Sequence, residues 1–357
     1  MIGATLDTAR RLAWPVEPGA FRLFLALLVF AHHLSSFDFG LYAVYVFFVL
    51  SGFWLHTMWV ERYRLTRNPY GTYLVSRAWR LAPVMVLVSA ITIVILLALG
   101  VRTGELFARP LHLAVSSLVL LGYAQLPYAP VGPAWSLDVE MQFYLVAPLL
   151  SVLLLRGASR WLLPLALALS AALAWRFAAP VFPKYAAFFL LGMMAARSGW
   201  RPPPRLALGS ALAVPVVLVA ITLSPWRDIL WGGVDPGPLH RLNPAFNVVM
   251  AFVTVPFALE TVRRASDRTD RALADLSYIV YLAHWAAVEW FDTFAGEPFG
   301  KRLAVAAASI VAVGFVSLGI WRGFDRPINR LRARWVARRS AGARSRADLP
   351  LAEPAGP

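Results

Sequence analysis

An imidazole and a carboxylate held in a low-dielectric cavity make a general base and its orienting partner, and such a pair can deprotonate an alcohol. The chain offers His33 near the end of the apolar stretch FRLFLALLVFAHHLSSF, residues 21–37, and Glu140 inside PAWSLDVEMQFYLVAPLL. Ionisable side chains in apolar spans are costly and are functional by default. Arg22 opens the first stretch eleven residues before His33, close to three helical turns, so the two share a face and stand about 16 Å apart along the axis. Snorkelling to the cytoplasmic surface is the alternative role for Arg22, at the end of a span, whereas His33 stands deeper. Consecutive helix positions point about 100° apart, so His32 and His33 cannot both face one pocket and one of them is a supporting residue. Ser136 and Asp138 suit an N-terminal cap, with acids that complement the helix dipole, but capping accounts less well for Glu140.

The remaining histidines have bland readings. His240 lies in the polar connection WGGVDPGPLHRLNP and His56 follows the apolar core of a span, which suits structural or interfacial roles. His112 has no evident partner and reads as a packing residue. His284 sits among Tyr278, Tyr281, Trp285 and Trp290, which suits an aromatic belt and a structural imidazole. No HExxH or other ligand pair shares a helix turn, so no metal is expected. VLSGF at 49–53 lacks the first glycine of a nucleophile elbow. HLSSFD at 33–38 matches an HxxxxD acyltransferase pattern only loosely, and Asp38 reads as a cap in the turn before the second span. With no cysteine in the chain, thiol nucleophiles, thiolate metal sites and disulfides are excluded.

These side chains need elements to hold them, and composition names the class. Of 357 residues 59% are hydrophobic and 15% charged, the mean hydropathy is +0.62, and the apolar residues come in blocks. The expectation is an all-α, polytopic transmembrane helical bundle. Candidate spans fall at 21–37, 40–60, 81–100, 111–127, 139–155, 161–179, 181–196, 206–224, 244–260, 275–294 and 303–321. The net charge of +15 lies mostly in the connection 61–80, the runs 197–205 and 263–271, and the tail, which fits a cytoplasmic face rather than nucleic acid. Eleven crossings cannot keep all these landmarks on one side. The short stretch 111–127, with His112, Ser116 and Ser117, is the expected exception, leaving about ten crossings, both termini inside, and 101–110 and 225–242 outside. Arg10 and Arg11 precede an apolar run that lacks a small-x-small cleavage site, so an uncleaved first span in the inner (plasma) membrane is expected. The division expected is a cytoplasmic segment 1–20, a membrane domain 21–325 and a basic tail 326–357, disordered from about Ser340. No internal or inverted repeat is evident.

Taken together, these segments resemble the acyltransferase 3 family of integral membrane acyltransferases. RLFLALLVFAHH resembles the family's first span, an arginine followed after ten residues by histidine, and this carries those roles to Arg22 and His33 rather than His32. YVFFVLSGFWL at 45–55 is similar to its second span, and SRAWRLAPV to its RxxR connection, mapping onto Arg77, Arg80 and Pro83. AWSLDVEMQFYL carries the family glutamate to Glu140, and LSYIVYLAHW at 276–285 resembles a late element of the family. FDRPINR at 324–330 is similar to a terminal ERP element, with Asp325 where glutamate is usual. The resemblance implies transfer of an acyl group, commonly acetyl, from a cytoplasmic acyl-CoA to a hydroxyl of a sugar, polysaccharide, lipid or related acceptor. His33 would be the base, Glu140 its orienting or charge-balancing partner, and Arg22 would position the donor or stabilise the oxyanion. Arg77 and Arg80 would pair with the donor's phosphates, although the positive-inside rule alone explains some cytoplasmic arginines. Two alternatives stay open: a membrane-bound O-acyltransferase of the histidine-and-asparagine type, and a transporter or exporter with an intramembrane proton relay.

Overall fold

The computed structural model describes residues 16–233 and 235–347, so Arg10, Arg11 and the last ten residues of the tail lie outside the described residues. The described residues are helical apart from turns and one isolated antiparallel bridge, Phe37 with Trp231. In chain order the helices are α1 (Pro18–His33), α2 (Gly40–Glu61), α3 (Pro69–Leu99), a single turn Thr103–Leu106, α4 (Pro110–Val119), α5 (Trp135–Leu155), α6 (Ser159–Arg176) and α7 (Phe182–Ser198). They continue with α8 (Pro204–Thr222), α9 (Asn243–Thr261), α10 (Arg268–Asp292), α11 (Phe299–Ile320), a π turn Trp321–Asp325 and α12 (Arg326–Ala347).

Among the described residues six segments are long and apolar enough to cross a membrane: Gly40–Leu65, Pro69–Leu99, Gly132–Leu155, Pro204–Thr222, Pro238–Thr261 and Phe299–Ser340. About ten crossings were expected, and the stretches 21–37, 161–179, 181–196 and 275–294 have no counterpart among these six. The stretch 21–37 is helical only to His33; at 16 residues, α1 is about 24 Å long against a hydrocarbon core of about 30 Å. Ser35 ends it by donating to the Ala31 carbonyl (2.7 Å) and accepting from the Phe37 N–H (3.3 Å), the side-chain competition that favours a turn. In the doubtful stretch 111–127, α4 has ten residues and stops where Leu120 (φ 58°) and Gly122 (φ 74°) turn left-handed. The basic connection 61–80 is largely helix. Asn68 accepts from the Gly71 N–H and Pro69 starts α3, so Arg77 and Arg80 sit on a helix of 31 residues. The tail, expected to be disordered from about Ser340, is helical to Ala347.

The chain forms two compact units. The first comprises residues 1–50 and 200–318 and the second 51–199 and 319–357. In the first, α1 and α10 lie side by side over their length. Their N-terminal ends meet where the Ala20 N–H donates to Asp270 (2.9 Å) and Asp267 caps α10 through the Asp270 N–H (2.7 Å). Gly19 is required there, because a Cβ would run into the Asp270 carbonyl. Phe21, Leu25, Val29 and Phe30, at helical spacing, form the buried face of α1. Tyr42 ties the start of α2 to α9, its N–H donating to Asn247 (2.8 Å) and its hydroxyl meeting Thr254 (2.8 Å). The turn after α1 pairs with residues 229–232 through Asp38 N–H to Leu230 (2.7 Å) and Gly232 N–H to Ser36 (2.8 Å).

In the second unit, α2 from Ser51 onward, α3, α5, α7 and α12 carry the core. Gly52 admits the Phe189 carbonyl of α7 where any Cβ would collide with it. Phe143 packs on Phe189 with ring centroids 4.1 Å apart and the planes tilted by 31°. Gln142 accepts from the Phe182 N–H (2.9 Å) and donates to Asp138 (3.0 Å), which in turn accepts from the Ala124 N–H (3.0 Å). Asp138 therefore anchors the Tyr123–Gln125 turn, and Ser136 donates to the Pro133 carbonyl (3.0 Å); neither caps α5 as expected.

Candidate active-site residues

In the first unit, His33 ends α1 beside the middle of α10. Its ring stacks on His284 (centroids 5.5 Å, interplanar 21°) and meets Trp285 edge-on (5.1 Å, 86°) and His32 (4.5 Å). The register follows from the pairing at the other end, since Ala20 to His33 and Asp270 to His284 are runs of 13 and 14 residues on parallel helices. Among the described residues His33 makes ring contacts but no hydrogen bond or ion pair. Arg22 lies over the Phe47 ring (6.0 Å). Phe47 contacts Tyr281 (5.9 Å), and Tyr281 contacts His284 (6.1 Å). The structure thus places Arg22 and His33 at two ends of one aromatic path.

His284, set aside in the sequence as structural, is fully buried beside His33. Its Nδ1 faces the Val280 carbonyl at 3.1 Å, and a carbonyl only accepts, so Nδ1 carries the proton. Nε2 is then a buried acceptor without a partner among the described residues. The motif SYIVYLAHW held the signal, but the proximity to His33 arises only from helix pairing. His32 has a different task. Its Nδ1 lies 3.2 Å from the Phe37 carbonyl and 3.4 Å from Asp38, whose other oxygen meets His240 Nε2 at 3.1 Å. Asp38 is therefore a clamp between two loops rather than the cap of α2. His56 bonds Ser151 (3.2 Å) and His112 bonds the Gly122 carbonyl (2.9 Å), both structural.

In the second unit, one oxygen of Glu140 accepts from the Tyr144 hydroxyl (2.7 Å) and from Ser51 through a very short hydrogen bond. Tyr144 is one turn on from Glu140 and was legible by that spacing. Ser51, in VLSGF, was weighed only as a hydrolase nucleophile; its hydroxyl serves the carboxylate. Arg77 is 8% exposed, donates to the Tyr63 hydroxyl (2.8 Å) and lies over the Tyr63 ring (5.5 Å). Arg80 pairs with Asp325 at 3.1 and 3.3 Å, so the aspartate of FDRPINR holds one of the two arginines expected at the donor. Among the described residues no group of three or more histidines or carboxylates could hold a metal ion.

Residues 17–322 match a family model described as an acyltransferase domain, acyltransferase 3. No curated protein and no solved structure matches the chain.

Proposed function

Since the chain belongs to the acyltransferase 3 family and is a membrane acyltransferase, we propose that it transfers an acyl group, acetyl in the simplest case, from acyl-CoA to a hydroxyl of a sugar, polysaccharide or lipid. The observation that carries this reading is a family match spanning 17–322 that includes His33, an imidazole with ring contacts and no hydrogen bond or ion pair among the described residues.

His33 takes the proton of the acceptor hydroxyl, and the alkoxide oxygen attacks the thioester carbonyl. Collapse of the tetrahedral intermediate forms the ester and expels the thiolate, which takes the proton back from the imidazolium as free thiol. Arg22 positions the donor or stabilises the oxyanion, a role in which a guanidinium gains most where water is excluded. Glu140, fixed by Ser51 and Tyr144, keeps the charge-balancing role that the family resemblance gives it. Arg77 meets the donor's phosphates, while Asp325 already matches the charge of Arg80. The basic connections support a cytoplasmic entry for the donor, both termini inside, and an acceptor on the far side of an inner membrane.

The test is labelled acetyl-CoA with the purified full chain in nanodiscs and a host membrane extract as acceptor. The expected result is acceptor-dependent release of thiol, with label appearing in a glycan or lipid. His33→Ala should abolish it and His32→Ala should not. Equal turnover in His33→Ala, or label released without any acylated product in the wild type, would overturn the reading.

A further inference from the structure

The second unit contains a group of cations that its own carboxylates do not match. Arg77 and Arg80 lie on α3 and Arg332 on α12. Asp325 pairs with Arg80 at 3.1 Å. Glu140 is occupied by Ser51 and Tyr144, and no carboxylate of the described residues lies within ion-pair distance of Arg77 or Arg332. Arg77 is nevertheless 8% exposed, and a buried guanidinium without a counter-charge is strongly unfavourable.

The hydrogen bonds point the same way. Arg77 donates to the Tyr63 hydroxyl (2.8 Å), Tyr63 and Ser76 share a hydrogen bond (2.8 Å), and Arg332 donates to Ser76 (3.1 Å). Both hydroxyls are fully buried. Each receives a guanidinium proton, and between them they hold two protons of their own, of which their mutual bond uses one. One hydroxyl proton is therefore surplus. Asn329 accepts from Arg332 Nε (3.2 Å), and its own Nδ2 is a buried donor with no acceptor among the described residues. Arg77 Nε is a third such donor. A buried cluster with excess positive charge and excess donors is built for an anion, and two guanidinium groups suit the oxygens of phosphate.

We propose that Arg77 and Arg332, bridged through Tyr63 and Ser76, bind a phosphate or diphosphate group, and that Arg332 extends the donor site into α12. Arg332 lies beyond the stretch 17–322 that the family model matches. That the phosphate belongs to acyl-CoA rests on the function proposed above; an anionic lipid headgroup would offer the same chemistry.

The experiment uses the full chain in nanodiscs of zwitterionic lipid, with labelled coenzyme A as the probe and inorganic diphosphate as competitor. Losing a charge-assisted hydrogen bond should weaken binding about ten- to a hundredfold in Arg332→Gln. Arg332→Lys, which keeps the charge but not the fork, should fall between and serves if the first variant does not insert. Equal coenzyme A affinity in the wild type and both variants overturns the proposal, as does a wild type that binds neither coenzyme A nor diphosphate. Diphosphate binding that is lost in Arg332→Gln while coenzyme A does not compete keeps the anion site and removes the acyl-CoA reading. In that case, thermal stabilisation by phosphatidylglycerol nanodiscs that Arg332→Gln abolishes identifies the headgroup as the source.

Discussion

Replacing the Arg80 and Asp325 pair separates a structural arginine from one that meets the donor. Arg80 Nη1 lies 3.1 and 3.3 Å from the two carboxylate oxygens, and the side chains are 19% and 2% exposed. At an effective dielectric constant of about 20, charges about 4 Å apart attract by about 4 kcal/mol. Removing one partner of a buried pair costs about 3–5 kcal/mol, because the other charge stays behind. Asp325→Leu leaves a guanidinium that keeps a fifth of its exposure, so its cost belongs near about 3 kcal/mol. Arg80→Met takes the Arg80 guanidinium from a carboxylate with almost no exposure and should cost about as much. The double variant buries two apolar side chains of similar volume and should lie within about 1 kcal/mol of wild type, giving a coupling of several kcal/mol. Denaturant unfolding of the four proteins in detergent measures the cycle. Single losses below about 1 kcal/mol that add in the double variant would refute a buried pair. The same double variant should keep its Michaelis constant for acyl-CoA within about threefold of wild type; a rise approaching that of an Arg77 variant would place Arg80 on the donor.

His284→Phe keeps the ring stack on His33 but removes the buried acceptor Nε2; turnover should fall without a matching change in the donor's Michaelis constant, and unchanged turnover would make the imidazole a packing element only. Tyr144→Phe deletes one donor to Glu140 and should cost about 1.5–3 kcal/mol of stability in detergent unfolding, the range for hydrogen bonds to charged groups; a cost near zero would mean that Ser51 alone satisfies the carboxylate. For topology, single cysteines at Thr103 and Asp235 should react with an impermeant thiol reagent in intact cells, and one at Ser198 only after permeabilisation. Asp235 serves better than the neighbouring Gly237, where a side chain would strike the Asp228 carboxylate. Labelling of Ser198→Cys in intact cells would reverse the orientation and with it the side from which the donor enters.

Much of this protein could be read one segment at a time. Apolar blocks required helices in a membrane, because hydrocarbon leaves backbone groups no partner outside the helix. Arg22 and His33 shared a helix face by periodicity alone, whereas Arg77 and Arg80 were singled out only by the resemblance to the family's RxxR connection. Local competition was missed: Ser35 ends α1 before Phe37, and Asn68 with Pro69 starts α3 well before its apolar run, because caps and turn residues act over a few positions while an apolar window averages them away. What tertiary structure decided was the partner of each polar group. Asp325 reaches Arg80 across 245 positions and Ser51 reaches Glu140 across 89, separations at which no periodicity constrains contact. His284 had the composition of an aromatic belt, and only the parallel pairing of α1 with α10 set its ring on His33. Arg332 read as one more tail arginine until α12 brought it to Ser76. The type and position of a side chain set its chemistry in the sequence. Its charge balance and hydrogen bonds depend on what packing brings within about 3 Å of it, and that is a property of the assembled helices.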